Sequence, residues 1–170
     1  MMFLAIRRAT DEDTADVLEV TKQSFSLYQD ELHVSYEVKA LKETIESTLK
    51  DIRENAVFVV ERFGKTCGSI RIKKLSDELW YIYRFGVSPD ITNTGLGSAL
   101  LDAAITYAKN NGAKAIALHT NSKYYRLARY YYGKQFYVHS TSFDRGYVRA
   151  LFILELSPDS GVDLSPAFIE

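Results

Sequence analysis

The stretch Val87–Leu101, VSPDITNTGLGSALL, decides how this chain folds. An apolar strand ends at Pro89, a short polar loop follows, and Gly95 and Gly97 open an amphipathic helix. Glycine lacks a Cβ atom, so the backbone here can adopt unusual dihedral angles and approach a ligand closely. The first N–H groups of the helix have no intrahelical partners and lie at the positive end of its dipole. The stretch therefore predicts an anion-binding turn of the kind that holds a phosphate.

Composition limits the possible functions. The chain has 170 residues, 46% of them hydrophobic and 25% charged, which suits one domain with a substantial core. Its formal charge of −1 and pI near 6.3 lack the basic field that nucleic-acid binding requires. The single cysteine, Cys67, cannot form an internal disulfide, and no apolar run approaches the roughly 18 residues that span a bilayer. We therefore expect a cytoplasmic protein with no nucleic-acid or membrane partner.

The order of predicted elements favours a mixed α/β fold. The elements are strand Phe3–Arg8, a helix capped by Thr10, a polar segment, helix Tyr36–Ile52, a hairpin turning at Gly64, a strand ending at Val87, a helix ending at Asn110, strand Lys114–Thr120, helix Tyr124–Tyr132, and strands Phe136–Ser142 and Tyr147–Leu156. The strand–helix–strand order around the glycine loop predicts a parallel pair with a crossover. We expect one domain over residues 1–156, with a mostly antiparallel sheet and helices on both faces, and an extended tail over 157–170. We expect the final strand to be exposed, and together with the apolar tail it would permit a homodimer.

Two familiar nucleotide motifs do not fit the glycine loop. A dinucleotide fingerprint would place a third glycine at Leu100 and an acidic residue after the next strand, which instead ends at His119-Thr120. The triphosphate motif GxxxxGK[ST] matches Gly64-Lys65-Thr66, but Val59 stands at its first glycine.

In this order of elements the chain resembles the GNAT superfamily of acetyl-CoA-dependent N-acetyltransferases. The family loop, Q/R-x-x-G-x-G/A, here reads Thr92-Asn93-Thr94-Gly95-Leu96-Gly97, so the glycines match and Thr92 replaces the leading Gln or Arg. The resemblance implies a sheet splayed between the strand ending at Val87 and the strand ending at Thr120. It also implies acetyl-CoA as cosubstrate. The cofactor-binding residues would be Phe85, Gly86, Val87, Thr92, Asn93, Thr94, Gly95, Leu96, Gly97, Ser98 and Arg126.

A second matching segment, Tyr130–Phe136, is similar to the family's Y-x-x-x-G-F, with Gln135 in place of the glycine. Aligned on Phe136, Tyr131 takes the position of the tyrosine that protonates the departing CoA thiolate. A phenol with a reference pKa near 10 can serve a thiolate of reference pKa near 8.5 when its surroundings help. A backbone N–H within Phe85–Val87 would stabilise the oxyanion.

The acceptor side is less defined in the sequence. An alkylamine with a reference pKa near 10.4 must lose a proton before it attacks a thioester. Many family members place a glutamate where this chain has Tyr81, so Tyr81, Glu78 and His119 are the candidates for a base or proton relay. The resemblance places Tyr83, together with Asp30 and Glu31 between the first two helices, at the acceptor site.

These patterns predict transfer of an acetyl group to a primary amine of a small molecule or peptide, by direct attack within a ternary complex. Cys67 lies mid-strand, which argues against an acetyl-cysteine intermediate, and the histidines and cysteine lack metal-ligand spacing. Two alternatives remain: a non-catalytic acyl-CoA-binding sensor or regulatory module, and, with less support, a nucleotide-binding α/β domain.

Overall fold

The computed structural model describes residues 4–34 and 36–170, and Phe3, the predicted start of the first strand, lies outside them. The strands are β1 Leu4–Arg8, β2 Ala56–Arg62, β3 Lys65–Lys74, β4 Leu79–Val87, β5 Ala115–Asn121, β6 Tyr137–Ser142 and β7 Arg149–Glu155. The α-helices are α1 Thr14–Leu32, α2 Ile45–Glu54, α3 Leu96–Asn110 and α4 Tyr125–Gly133. Short 3-10 turns lie at Asp11–Asp13, Lys39–Lys42, Pro89–Ile91 and Ser165–Ala167.

The strands form one mixed sheet in the order β1-β2-β3-β4-β5-β7-β6. The pairs β1–β2, β2–β3, β5–β7 and β6–β7 are antiparallel, and β4–β5 is parallel, with α3 as the crossover. This confirms the predicted mixed, mostly antiparallel sheet. The ladder between β4 and β5 runs from Leu79↔Ala115 to Tyr81↔Ala117, while both strands continue beyond it.

The last strand does not lie at the edge of the sheet, which corrects the expected exposure of that strand. β7 pairs with β5 on one side and β6 on the other, and its residues from Arg149 to Leu154 are buried. Since β6 takes the edge position, β7 offers no open strand edge for a second copy of the chain.

Two predicted helix boundaries are wrong. α1 continues to Leu32 and ends at His33 in the left-handed conformation (φ 48°), so Asp30 and Glu31 lie in its last turn and not in a loop. The partly buried rings of Phe25 and Tyr28, with centroids 6.2 Å apart, extend the packed side of the helix through the polar segment.

α2 begins at Ile45, later than the predicted start at Tyr36. The hydroxyl of Thr44 accepts from the Ser47 N–H (3.1 Å), and the Ser47 hydroxyl accepts from the Thr44 N–H (2.9 Å). This reciprocal capping box sets the first turn of the helix. At the predicted cap before α1, the Thr10 N–H donates to the Asp13 carboxylate (2.7 Å), and one 3-10 turn precedes the α-helix.

The chain divides into two compact units, and the first comprises Met1–Ile72 and Arg84–Tyr107. On β2, Val57 and Val59 pack with Val17 of α1 and Ile52 of α2. Phe58 points to the opposite face, because side chains alternate along a strand, and there it contacts Tyr107 of α3 with ring centroids 5.6 Å apart. Helices therefore cover both faces of the sheet in this unit, as predicted.

The second unit comprises Lys73–Tyr83 and Ala108–Glu170. One face of its sheet carries a core of buried residues: Leu79, Tyr81, Ala115, Ala117, Leu151, Ile153 and Ala167. The C-terminal segment packs on this face through Val162, Leu164 and Ala167, and it ends in a 3-10 turn that the expected extended tail did not include. On the opposite face Tyr131 of α4 contacts Phe152.

Candidate active site

The loop between β4 and α3 is folded by its own side chains. The Thr94 hydroxyl donates to the Ile91 carbonyl (2.5 Å), and the Thr92 hydroxyl donates to the Pro89 carbonyl (3.1 Å). Asn93 and Gly95 both have positive φ, 64° and 84°. The Ala99 N–H donates to the Gly95 carbonyl (3.1 Å), which begins the helical hydrogen bonding. Thr92, which replaces the family's Gln or Arg, thus acts on the shape of the loop.

The two glycines of the loop have different structural roles. A Cβ atom on Gly95 would meet nothing within 4 Å, but the residue's φ of 84° is one that side chains disfavour. A Cβ atom on Gly97 would lie 3.6 Å from Val87 and 3.7 Å from Phe85, which is ordinary van der Waals contact. The conformation of the backbone therefore favours glycine at Gly95, whereas the protein itself leaves room for a Cβ atom at Gly97.

The last part of β4 is irregular. Arg84 has a φ of 51°, a left-handed conformation that is rare in a strand and costs of order 1 kcal/mol. Its Nε donates to Glu43 (2.9 Å), which holds the residue in place. At Gly86 a Cβ atom would come within 2.1 Å of the Ser24 hydroxyl, so α1 packs directly against this main chain. Phe85–Val87, the predicted oxyanion-donor segment, thus follows a kink and is supported by α1.

A buried ion network that the sequence analysis did not predict supports this end of β4. The fully buried Arg71 of β3 pairs with Asp51 (2.7 Å) and Glu43 (3.2 Å). Burial favours the neutral acid of Glu43, but the Ser47 hydroxyl, Arg71 and Arg84 together hold its pKa below the usual value. Because Glu43 binds both arginines, it ties the kink at Arg84 to the core of the first unit.

In the second unit, Tyr81 and His119 form a hydrogen-bonded pair. The Tyr81 hydroxyl lies 2.7 Å from His119 Nδ1. The register explains the contact, since Tyr81 is opposite Ala117 and His119 is two residues further along the same face of β5. Burial, then Arg149 and Arg145, lower the pKa of His119 to about 4 against a weaker opposing effect of Asp144. His119 is therefore neutral at pH 7 and keeps one unprotonated ring nitrogen.

Tyr83 and Lys73 extend this pair into a cluster. The ring of Tyr83 stacks on Tyr81 with centroids 6.4 Å apart and an interplanar angle of 26°. Lys73 Nζ lies 5.2 Å from the centroid of Tyr83 and 5.8 Å from that of Tyr81. The structure thus brings together three residues that the sequence analysis had assigned to the reaction: Tyr81, Tyr83 and His119.

Tyr131, the predicted general acid, is 4% exposed. Its ring centroid lies 5.5 Å from those of Tyr130 and Phe136 and 5.6 Å from that of Phe152. Burial, together with Tyr130 and Tyr81, raises the pKa of Tyr131 well above its usual value. Its phenol is therefore fully protonated at neutral pH. Arg126 lies exposed in the first turns of α4.

Other candidate residues lie in different surroundings. Glu78 pairs with Lys114 (2.6 Å) just before β4, with 42% of its side chain exposed. Asp30 and Glu31 are exposed at the end of α1 in the first unit. Cys67 is buried in β3, where its thiol donates to the Val60 carbonyl (3.5 Å) and burial raises its pKa. A thiol held in this way is a poor nucleophile.

Sequence reasoning missed Arg145 and Arg149, the two cations that act on His119. Arg149 is 3% exposed at the start of β7 and lies opposite Asn121 of β5. A signal was present, because an arginine inside the apolar run Val148–Leu154 indicates a buried charge that needs a partner.

Within the described ranges, no group of three or more His, Cys, Asp or Glu side chains is placed to hold a metal ion. None of the helices in those ranges combines the length and apolarity needed to cross a bilayer.

The model of the acetyltransferase (GNAT) family matches residues 21–136, more than half of the chain. The chain therefore belongs to the GNAT family, and its class is acetyltransferase. The match runs from the middle of α1 through the glycine loop to Phe136, and it confirms the resemblance inferred from the sequence. No curated protein sequence matches the chain closely enough to count as a relative.

Solved structures agree on the fold. The PaiA N-acetyltransferase of Thermoplasma acidophilum in complex with coenzyme A superposes with a TM-score of 0.78 at 18% identity, covering 90% of this chain and 99% of that one. YncA, a putative acetyltransferase of Salmonella typhimurium with acetyl-CoA, gives 0.75 at 18% identity, with 95% and 99% covered. The ribosomal-protein-S18-alanine N-acetyltransferase of Escherichia coli gives 0.73 at 14% identity, with the same coverage.

Proposed function

We propose that the protein transfers the acetyl group of acetyl-CoA to the primary amine of a small molecule or peptide by direct attack in a ternary complex. The observation that carries this proposal is the hydrogen bond between Tyr81 and His119, because it joins a phenol to a neutral imidazole in a family whose reaction requires removal of an amine proton. Coenzyme A bound to PaiA and acetyl-CoA bound to YncA, two structures of the same fold, support the identity of the donor.

The donor is proposed to bind through main-chain groups. The N–H groups of Thr92–Ser98 hold the pyrophosphate, because the positive φ of Gly95 opens the start of α3 without a side chain in the way. Arg126 contributes a charge to a phosphate group. An N–H of Phe85–Val87, positioned by the kink at Arg84, stabilises the oxyanion that forms on the thioester carbonyl.

The acetyl step is proposed to proceed through one tetrahedral intermediate. The amine nitrogen forms a bond to the thioester carbonyl carbon, the carbon–sulfur bond then breaks, and the CoA thiolate leaves. The amine proton passes through His119 and Tyr81 to solvent water, because an imidazole with a pKa of about 4 releases its proton at neutral pH. Tyr131 donates its phenolic proton to the thiolate. The apolar surroundings that raise the pKa of Tyr131 also penalise a buried thiolate. The thiolate is therefore a stronger proton acceptor here than it is in water.

The direct route is preferred over an acetyl-cysteine intermediate because the Cys67 thiol is buried and hydrogen-bonded to Val60. Amines held close to a thioester gain effective molarities of about 10⁵ M or more, so positioning supplies much of the rate.

We propose a cytoplasmic location, which the reduced cysteine and the use of acetyl-CoA support.

The test is a screen of thiol release from acetyl-CoA over amines, polyamines, amino acids and peptides, combined with calorimetric titration of acetyl-CoA. We expect micromolar to millimolar binding and release that depends on the amine. Binding without release on any acceptor would favour the acyl-CoA sensor. Absence of binding would overturn the proposal for the donor.

A further inference from the structure

A cavity of about 380 Å³ lies within the first unit, where the β2–β3 hairpin meets the connection from β4 to α3. Its lining residues are Arg62, Phe63, Lys65, Cys67, Asp90 and Ile91. Cys67 and Ile91 are buried and form the apolar part of the wall, while the other four residues carry a charge or an aromatic ring. The volume is within the range of small-molecule sites, about 300–1,000 Å³, so the cavity has room for one small ligand.

The two cations of the cavity, Arg62 and Lys65, have no acidic partner. Within residues 4–34 and 36–170, no carboxylate forms an ion pair with either side chain. The buried Nε of Arg62 also lacks a hydrogen-bond acceptor in the same part of the chain. A buried donor without an acceptor is unfavourable, and the oxygen atoms of an anionic ligand would satisfy it.

Phe63 stands where a hairpin usually has asparagine or glycine. Phe63 and Gly64 form the two-residue turn between β2 and β3, with φ values of 52° and 75°. Bulky side chains disfavour a positive φ, so this aromatic residue is strained. The side chain is 67% exposed, so packing in the core does not explain the choice. The guanidinium of Arg62 lies 5.5 Å from the ring centroid, which places a planar ring beside an unpaired cation.

Asp90 is the one acidic residue among those that line the cavity. It lies in the 3-10 turn Pro89–Ile91, and its carboxylate is exposed. Because it pairs with neither cation, its oxygen atoms are available to hydroxyl groups of a ligand, as acidic residues are to ribose in nucleotide sites. A simple inorganic anion would not use this carboxylate, whereas a sugar phosphate would.

We propose that this cavity binds a nucleotide. Phe63 stacks on the base, and Arg62 and Lys65 bind a phosphate group. Asp90 accepts hydrogen bonds from the ribose hydroxyl groups. The site differs from a P-loop, because Lys65 begins a strand and not a helix.

Two sources could supply the nucleotide. One is the nucleotide end of coenzyme A, since the cavity borders the connection that continues into the glycine loop; in this case the inference rests on the proposed function. The other is a free nucleotide, which would occupy the cavity while the cosubstrate is bound elsewhere. The contacts to the base, ribose and phosphate are the same for both.

The test measures binding by calorimetry in the wild type and in three variants, Arg62→Gln, Lys65→Gln and Phe63→Asn. The probes are coenzyme A, adenosine bisphosphate and ATP. We expect each cation variant to weaken nucleotide binding about 10-fold, and Phe63→Asn to weaken it about 5- to 50-fold. Lys50→Gln, which removes an exposed charge from α2, should bind every probe as the wild type does.

Phe63→Asn has a second readout. Asparagine tolerates a positive φ, so this variant should unfold at the same temperature as the wild type or higher, although it binds the nucleotide less well. A lower unfolding temperature would mean that the ring is kept for stability, which contradicts its proposed contact with the base.

Competition separates the two sources. If the nucleotide belongs to coenzyme A, the variants weaken coenzyme A and adenosine bisphosphate competes with it. If the nucleotide is free, ATP binds equally with and without saturating coenzyme A, and the variants weaken ATP alone. The nucleotide site is wrong if all three variants bind every probe as the wild type does. If coenzyme A does not bind to the wild type, the proposed donor is wrong, and ATP and adenosine bisphosphate still decide the site.

Discussion

The glycine loop of the first unit and the Tyr81–His119 cluster of the second are built in different ways. The loop is one continuous segment, and the groups proposed to bind the ligand are main-chain N–H groups in a turn that the positive φ of Gly95 forms. The cluster is assembled from side chains of β3, β4 and β5. The first kind of site is encoded locally, and the second exists only when the strands are in register.

The difference in construction suggests a division between binding of the donor and selection of the acceptor. In the proposed reaction, main-chain groups of the loop bind a constant partner, the phosphates of the cofactor, which is compatible with Thr92 in place of Gln or Arg. The side chains of the cluster are proposed to select the acceptor. We therefore expect substitutions in the loop to change cofactor affinity and substitutions in the cluster to change acceptor choice and proton transfer.

The largest effect is expected from Tyr131→Phe. This variant tests whether a side chain outside the glycine loop takes part in the chemical step. Loss of the phenolic proton should lower kcat about 10²- to 10⁴-fold, since that is the usual contribution of a general acid. The ring still packs against Phe136 and Phe152, so acetyl-CoA affinity should change little. Stopped-flow thiol release and calorimetry measure the two quantities. An unchanged kcat would remove Tyr131 from the mechanism.

Gly95→Ala and Gly97→Ala test the different roles of the two glycines in the loop. Alanine at Gly95 must adopt a φ of 84°, which costs about 1–2 kcal/mol or shifts the turn, so acetyl-CoA affinity should fall about 5- to 30-fold. Alanine at Gly97 meets Val87 and Phe85 at ordinary contact distances and should leave the stability of the free protein unchanged. Thermal unfolding and calorimetric titration of both variants check this. Equal affinity of Gly95→Ala and wild type would show that the loop does not hold the cofactor.

The same comparison explains what the sequence could predict. The turn at Gly95 and the parallel crossover were predictable because glycine conformation and element order act over a few neighbouring residues. Arg149 was not, because its effect on His119 depends on the pairing of β5 and β7. The length of α1 was misjudged for a related reason, since the polar surface of Asp30 and Glu31 concealed the packing of Phe25 and Tyr28. His119 was named as a candidate, but its hydrogen bond to Tyr81 depends on the register of β4 and β5.

A smaller effect, on stability, follows from the lowered pKa of His119. His119 takes up a proton near pH 6.5 in the unfolded chain and only near pH 4 in the folded chain, so its contribution to stability is constant above pH 6.5 and is lost between these values. The ring is half-buried, so we expect a loss of about 1–2 kcal/mol over this window. His119→Gln should remove that part of the loss. Urea unfolding at pH 7 and pH 4.5 gives the difference between the two proteins, and parallel pH profiles would contradict the burial of a neutral imidazole.

The smallest effect is expected from the double substitution Asp30→Asn and Glu31→Gln. It tests whether these two acidic residues of the first unit contribute to selection of the acceptor. Both side chains are exposed at the end of α1, where salt screens their field over roughly 8 Å at physiological ionic strength. They can attract a cationic amine during its approach without holding it, so KM should rise about two- to threefold at low salt and match wild type at about 0.5 M salt. A tenfold rise that persists at high salt would instead mean that these carboxylates contact the acceptor directly. Acceptor choice would then be distributed over both units, and the division between a main-chain site for the donor and a side-chain site for the acceptor would have to include the end of α1.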